Sequence, residues 1–269
     1  MASLVALKDT LLLAVTSWRL WTLQFVGNVV LFLIFIWFLR TPDAHWWQVL
    51  FGFLLLVVTV LGALVLHGGT LDFFQIAHEG KQGTIGTAFT KAVRHLPALL
   101  LWAVIFFAFQ WLVGKLDRYN TSLPGYLRSE FPAWLRRWIS EPAFVSLYTD
   151  IVWLLRWVVL PGLLLPFAVF SVDQGFGAFL NSRGWRKTVR SLIYWMVLLV
   201  AALIGVALVR VIMHWLPDPR TATLQQEQTS LVFRLLLAYI LGIFSWLLAC
   251  SMLGRRTANV AVEPGAQPV

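Results

Sequence analysis

Residues 47–66 read WQVLFGFLLLVVTVLGALVL, with no charged side chain among them, and five other stretches come close to the same character. A helix of about 20 apolar residues crosses the roughly 30 Å of a bilayer's hydrocarbon core at 1.5 Å per residue. Six spans are expected on this basis, over residues 21–39, 47–66, 98–113, 147–170, 192–213 and 231–253. The third is the shortest. It gains a turn if the helix begins before Pro97, because a first-turn residue needs no N–H for the helix. The expected fold is therefore all-α: a polytopic membrane protein of six transmembrane helices.

Composition points the same way. Hydrophobic residues make up 59% of the chain and charged residues 12%, with a mean hydropathy of +0.78, whereas roughly a quarter of a soluble domain is charged. A net charge of +9 would suggest nucleic acid in a soluble protein. Here the bases sit in short segments beside apolar runs, the pattern of cytoplasmic charge bias, and no nucleic-acid partner is expected. The single cysteine, Cys250, excludes an intramolecular disulfide and any CxxC site, and its apolar surroundings predict burial. Near the N-terminus Lys8 and Asp9 interrupt the apolar residues, which argues against a signal peptide. Leu4, Leu7, Leu11, Val15 and Trp18 share a helical face, as in a helix lying at the membrane surface.

Six spans put both termini on one side, and the bases select which. The terminal segments with loops 67–97 and 171–191 hold eleven: Lys8, Arg19, Lys81, Lys91, Arg94, Arg183, Arg186, Lys187, Arg190, Arg255 and Arg256. The opposite loops hold seven, nearly balanced by acids. Cytoplasmic termini in a plasma membrane, of the bacterial inner-membrane kind, are the expectation. Trp18 and Trp21 would mark the inner boundary, and Trp46, Trp47, Trp111 and Trp215 the outer one.

Residues 87–97, TAFTKAVRHLP, place Ile85, Ala88, Phe89, Ala92, Val93 and Leu96 on one helical face, with Thr87, Lys91, Arg94 and His95 turned away toward headgroups. RKTVRSL at 186–192 echoes it, pairing Lys91 with Lys187, Val93 with Val189, Arg94 with Arg190 and Leu96 with Leu192. Lys91, Arg94, Arg186, Lys187 and Arg190 are the expected lipid-headgroup contacts. The simplest organisation is three units of a basic interfacial helix and a transmembrane hairpin, over 4–68, 84–171 and 182–254. Within loop 114–146, Trp134, Leu135, Trp138 and Ile139 predict a second surface helix. Residues 257–269 lack periodicity and are expected to be disordered.

HEGKQGTIGTAFTKAVRHLPALLL and GFGAFLNSRGWRKTVRSLIYW each lead from a glycine-containing loop through a basic helix into a span. In this the chain resembles six-span bacterial membrane families such as the membrane domain of glycerophosphoryl diester phosphodiesterases. The resemblance implies the architecture. It implies no phosphodiesterase activity, because no catalytic domain is attached to these stretches.

Catalytic motifs such as GxxxxGK[ST], HExxH, GxSxG and CxxC are absent from the sequence, and no cofactor is expected. His67, Asp72, His78 and Glu79 are the nearest approach to a metal-ligand set, and would need the loop after span two to fold back. Arg156 lies deep in span four, followed by Pro161, Gly162 and Pro166, which predict a kink. Arg210 and Arg234 lie nearer the outer ends of spans five and six, where snorkelling serves them. Asp150 is the only acid within an expected span and is expected to meet Arg210 or Arg234, leaving Arg156 to a carbonyl, water or an anionic ligand. Gln24 and Asn28 should hydrogen-bond across the bundle, and Ala201 with Gly205 and Ala238 with Gly242 should allow close helix approach. The leading functional expectation is a non-enzymatic accessory or scaffold protein that binds anionic lipid, a membrane-protein partner or its own copy. The alternatives are transport of a lipid or small anion past Arg156, and a lipid-modifying enzyme.

Overall fold

The computed structural model describes residues 2–80, 84–120, 122–138, 140–180, 182–215 and 223–261, and these form helices with no strand among them. A short helix α1 (Ala2–Thr16) leads into α2 (Trp18–Arg40), which pairs with the long α3 (Trp46–His78). Next come the short α4 (Ile85–Arg94) and α5 (Leu96–Arg118). Two surface helices, α6 (Ser122–Ser129) and α7 (Ala133–Trp138), precede α8 (Glu141–Leu154), which continues through a π-helical turn at Leu155–Val159 into α9 (Leu160–Gln174). A 3₁₀ segment at Gly175–Leu180 leads to the short α10 (Ser182–Val189). Finally α11 (Leu192–Ala202), a π turn at Leu203–Leu208 and α12 (Val209–His214) return to α13 (Leu224–Ala261). Six helices are long and apolar enough to cross a membrane: Trp18–Arg40, Trp46–His78, Leu96–Arg118, Glu141–Leu180, Leu192–His214 and Leu224–Arg255. Pro97 sits in the first turn of α5, where its missing N–H costs nothing.

Three of the six overshoot the bilayer: α3, α13 and the 40-residue helical run Glu141–Leu180. With 33 residues in α3 and 38 in α13, these helices are about 50 and 57 Å long at 1.5 Å per residue, well beyond the roughly 30 Å hydrocarbon core. Loop 67–97 was expected to begin after Leu66, but α3 continues to His78 before Gly80, with φ +68°, ends it. Likewise α13 runs to Ala261, five residues into the segment expected to be disordered, while 262–269 lie outside the described residues. Polar residues ended the apolar periodicity at these points, yet Thr70 and Asp72 are fully buried. They belong to the core of a protein cap rather than to a loop.

The chain forms two compact units, residues 1–102 with 166–269, and residues 103–165. In the first, α13 packs against α3, and Leu247 to Gly254 are buried on every side. Helix faces further along are exposed instead, with Phe32, Leu33 and Trp37 each about 60% accessible. Exposed apolar area of this kind suits a hydrocarbon surround, where it carries no hydrophobic penalty. At Gly254 an added Cβ would lie 2.6 Å from the backbone of Phe74 and Gln75, so glycine sets how closely α13 approaches α3.

The cap is built three times in one pattern. Each short helix buries two small residues four apart: Thr10 and Ala14 on α1, Ala88 and Ala92 on α4, Gly184 and Thr188 on α10. The helix breaks by the third residue after the second of these, at Ser17, His95 and Arg190–Ser191, and a span begins at the next residue. The third residue of each span, Leu20, Ala98 and Tyr194, is again buried. Trp21 Nε1 donates to Ala14 O (2.9 Å) and Trp195 Nε1 to Val189 O (2.7 Å), so an indole N–H satisfies a carbonyl left open at the end of α1 and of α10.

This arrangement corrects the expected orientation of the short helices. α4 does not offer Ile85, Ala88, Phe89, Ala92 and Val93 together to lipid. Ala88 and Ala92 are buried in the protein, Phe89 occupies the space beside Gly69 of α3, and Val93 is exposed. On α1, Thr10 and Ala14 face the protein while Val15 is exposed, as is Trp18 at the start of α2. Of the four residues proposed for the surface helix, Trp134 and Trp138 are exposed on α7, and the side chain of Leu135 and all of Ile139 lie outside the described residues.

Candidate functional site

The cap's charge arrangement starts from Asp72, whose side chain is fully buried on the protruding end of α3. An isolated carboxylate there would lose its hydration without compensation. Lys91 of α4 answers it, with Nζ donating to Asp72 Oδ1 at 3.2 Å and to Asp173 Oδ1 of α9 at 2.9 Å. Lys91 is thus turned inward to two carboxylates, not toward headgroups as its helical face had implied. Burial works against the Lys91 ammonium, but the hydrogen bond to Asp173 and the charge of Asp72 outweigh it and hold its pKa above the ordinary lysine value. Asp72 Oδ2, Gln75 Oε1 and Ser171 Oγ are buried without a partner among the described residues. A second cross-link of opposite order joins Arg255 of α13 to Asp9 of α1 at 3.4 Å. Within the cap, Asp173 was not singled out from the sequence. Its signal is the short pattern Thr-Leu-Asp at 70–72 recurring as Ser-Val-Asp at 171–173, at the end of the next hairpin's second helix.

The remaining expected headgroup contacts are exposed. Arg94 is exposed on α4 and forms no ion pair among the described residues. On α10, Arg183, Arg186 and Lys187, with Arg190 in the closing turn, fall within an arc of about 100° at 100° per residue. Arg183, Arg186 and Arg190 are exposed and form no ion pair among the described residues. The opposite side is anchored. Thr188 is buried, and Trp185 stacks on Phe167 with centroids 6.0 Å apart, while Phe179 stacks on that ring at 6.1 Å. Leu180 and Leu192, which flank α10 in the sequence, are 86% and 74% exposed.

The suggested metal set does not assemble. His67, Asp72, His78 and Glu79 stand along α3 and its terminus, with the histidines eleven positions, roughly 16 Å of helix, apart. Each has another partner. His67 meets the Trp246 ring edge-on at 5.1 Å, Asp72 binds Lys91, His78 lies 3.4 Å from Ser251 Oγ, and Glu79 accepts from Gln75 Nε2 at 3.1 Å. No group of three His, Cys, Asp or Glu among the described residues fits a metal ion. Gln24 does bond across the bundle, donating Nε2–H to Thr70 Oγ1 at 2.6 Å, and Asn28 Nδ2 bonds Gln24 Oε1 at 2.9 Å.

Residues 103–165 resolve the arginine in span four. Arg156 Nη1 lies 3.2 Å from Asp117 Oδ2, and its guanidinium sits 5.3 Å from the Trp157 ring centre. The π turn explains the adjacent polar contact. In its i to i+5 register the donor for Arg156 O would be residue 161, but Pro161 has no N–H. Gln110 Nε2 supplies the missing donor at 3.1 Å. Asp117 and Gln110 were not singled out from the sequence, since nothing in their local spacing connects them to residue 156. Asp150 is exposed and makes no ion pair among the described residues, and its expected partners Arg210 and Arg234 belong to the other unit. In the larger unit, Arg234 is 5% exposed and donates to Trp215 O at 2.6 Å and Met213 O at 3.2 Å, closing the C-terminal carbonyls of α12. It does not snorkel, whereas Arg210 is exposed.

No family model, curated protein or solved structure matches the chain.

Proposed function

We propose that the protein is a non-enzymatic membrane scaffold that holds anionic lipid against its terminus-bearing end, with both termini in the cytoplasm of a bacterial-type inner membrane. The observation that carries this reading is the α10 face, where Arg183, Arg186 and Arg190 are exposed, point the same way and form no ion pair among the described residues. Exposed Leu180 and Leu192, flanking α10 in the sequence, suit insertion between lipid chains while the guanidinium groups meet phosphates. Each base near an anionic leaflet contributes about 1 kcal/mol, so three favour anionic over neutral lipid by roughly a hundredfold. Lys91, committed to Asp72 and Asp173, is excluded from this set. Arg156 is paired through Nη1 with Asp117, while its Nε is buried with no partner among the described residues, so the transport reading would need an anion to compete with that pair.

The test is lipid enrichment in nanodiscs of mixed phosphatidylglycerol and phosphatidylcholine. Phosphatidylglycerol should be enriched around the wild-type protein. The variant R183Q/R186Q/R190Q should return it to the bulk ratio, and added salt should weaken the wild-type enrichment. Enrichment untouched by the triple substitution would remove the basis for this reading.

A further inference from the structure

A cleft of about 290 Å³ opens between α2, α3 and α13, lined by Gln24, Asn28, His67, Tyr239, Gly242 and Trp246 among others. We propose that it binds the uncharged, hydroxyl-bearing head of a membrane-dissolved lipid. Its volume lies at the lower limit of small-molecule sites, about 300 Å³, enough for a head and a few methylenes. The lining carries no Lys, Arg, Asp or Glu, so a phosphate or carboxylate would enter without a counter-charge and lose its hydration.

The hydrogen-bonding inventory selects a hydroxyl. Asn28 spends both amide hydrogens on Gln24, one on its carbonyl oxygen at 2.8 Å and one on Oε1 at 2.9 Å, and is left with Oδ1 as an acceptor. Gln24 is itself fixed by Thr70, so this acceptor is held in place. Among the other lining residues, Trp246 Nε1 and His67 Nδ1 are buried with no partner among the described residues. An indole N–H only donates. A hydroxyl accepts from Trp246 and donates to Asn28, whereas a carbonyl group would leave Asn28 unanswered. Phe25, Val29 and Ile240, near the lining residues in sequence, are each close to 40% exposed and offer an apolar path for the lipid chain. Tyr239 ties α13 to α2 there, donating to Phe25 O at 2.7 Å.

Gly242 had been expected to bring helices close. Instead a Cβ at this position would meet no atom within 4 Å, so the glycine leaves the cleft open. Gly242→Leu should therefore extend a side chain into the site from a Cβ that meets no neighbour, and it replaces a poor helix former with a good one. In nanodiscs of phosphatidylcholine, a diacylglycerol with a diazirine on its acyl chain should label the segments of α2 and α13 that line the cleft. Unlabelled diacylglycerol or a long-chain prenol should compete, and the stronger competitor identifies which lipid class supplies the hydroxyl. G242L should reduce labelling about tenfold with a melting temperature at or above that of the wild type. W246F, which removes the donor and keeps the packing, should reduce it by a similar factor. The proposal is overturned if neither alcohol competes, if both variants label like the wild type, or if a phosphatidylglycerol probe labels the cleft as strongly. These residues are separate from the α10 arginines, so failure here leaves the headgroup reading standing.

Discussion

Lys91 and Asp72 should show the largest single-residue effect in the cap. Lys91→Met strands a fully buried carboxylate, and breaking a buried pair in this way costs 3–5 kcal/mol. Lys91 keeps 40% exposure, which places the loss near the lower end, about 3 kcal/mol. K91M/D72N should recover most of it, because the stranded charge is then gone, and thermal unfolding in detergent with a double-mutant cycle measures both. A double variant no more stable than K91M would show that the pair contributes geometry rather than charge compensation. At this scale the sequence was partly legible. Arg156 stood out because an arginine deep in an apolar run needs an explanation. Its partner Asp117 lies beyond the end of an expected span, and looked like an ordinary loop acid until α5 extended through Arg118. Lys91 was recognised as unusual but assigned to lipid, since helical spacing reveals which residues share a face and not what that face meets.

Among the elements, the six apolar runs were plain, because a span has one composition that satisfies hydrocarbon. The ends were not. α3 and α13 leave the membrane without ceasing to be helices, and their polar residues there are buried by α1, α4 and α10 instead of solvated. The pattern of two small residues four apart, with a span starting four residues later, was present throughout. It was masked by the more conspicuous match of Lys91 with Lys187 and Arg94 with Arg190. Gly254 tests the packing of this layer. Gly254→Ala places a methyl group against the Phe74 backbone, which cannot rotate aside as a side chain can, and should cost about 1–3 kcal/mol through separation of α3 and α13. Chemical denaturation of the reconstituted protein reads this directly, and an unchanged midpoint would show that the helices shift freely.

For the molecule as a whole, orientation links the fold to the proposed function: the basic face of α10 reaches an anionic cytoplasmic leaflet only if the terminus-bearing end is inside. The lone Cys250 is fully buried, so introduced cysteines can be labelled against a quiet background. Arg190 is exposed in the turn closing α10, and Trp138, 84% exposed on α7, lies between the third and fourth spans. Single variants R190C and W138C in intact cells, treated with a membrane-impermeant maleimide before and after permeabilisation, place the two ends. The account predicts labelling of W138C in intact cells and of R190C only after permeabilisation. The reverse pattern would put the α10 arginines outside and contradict it.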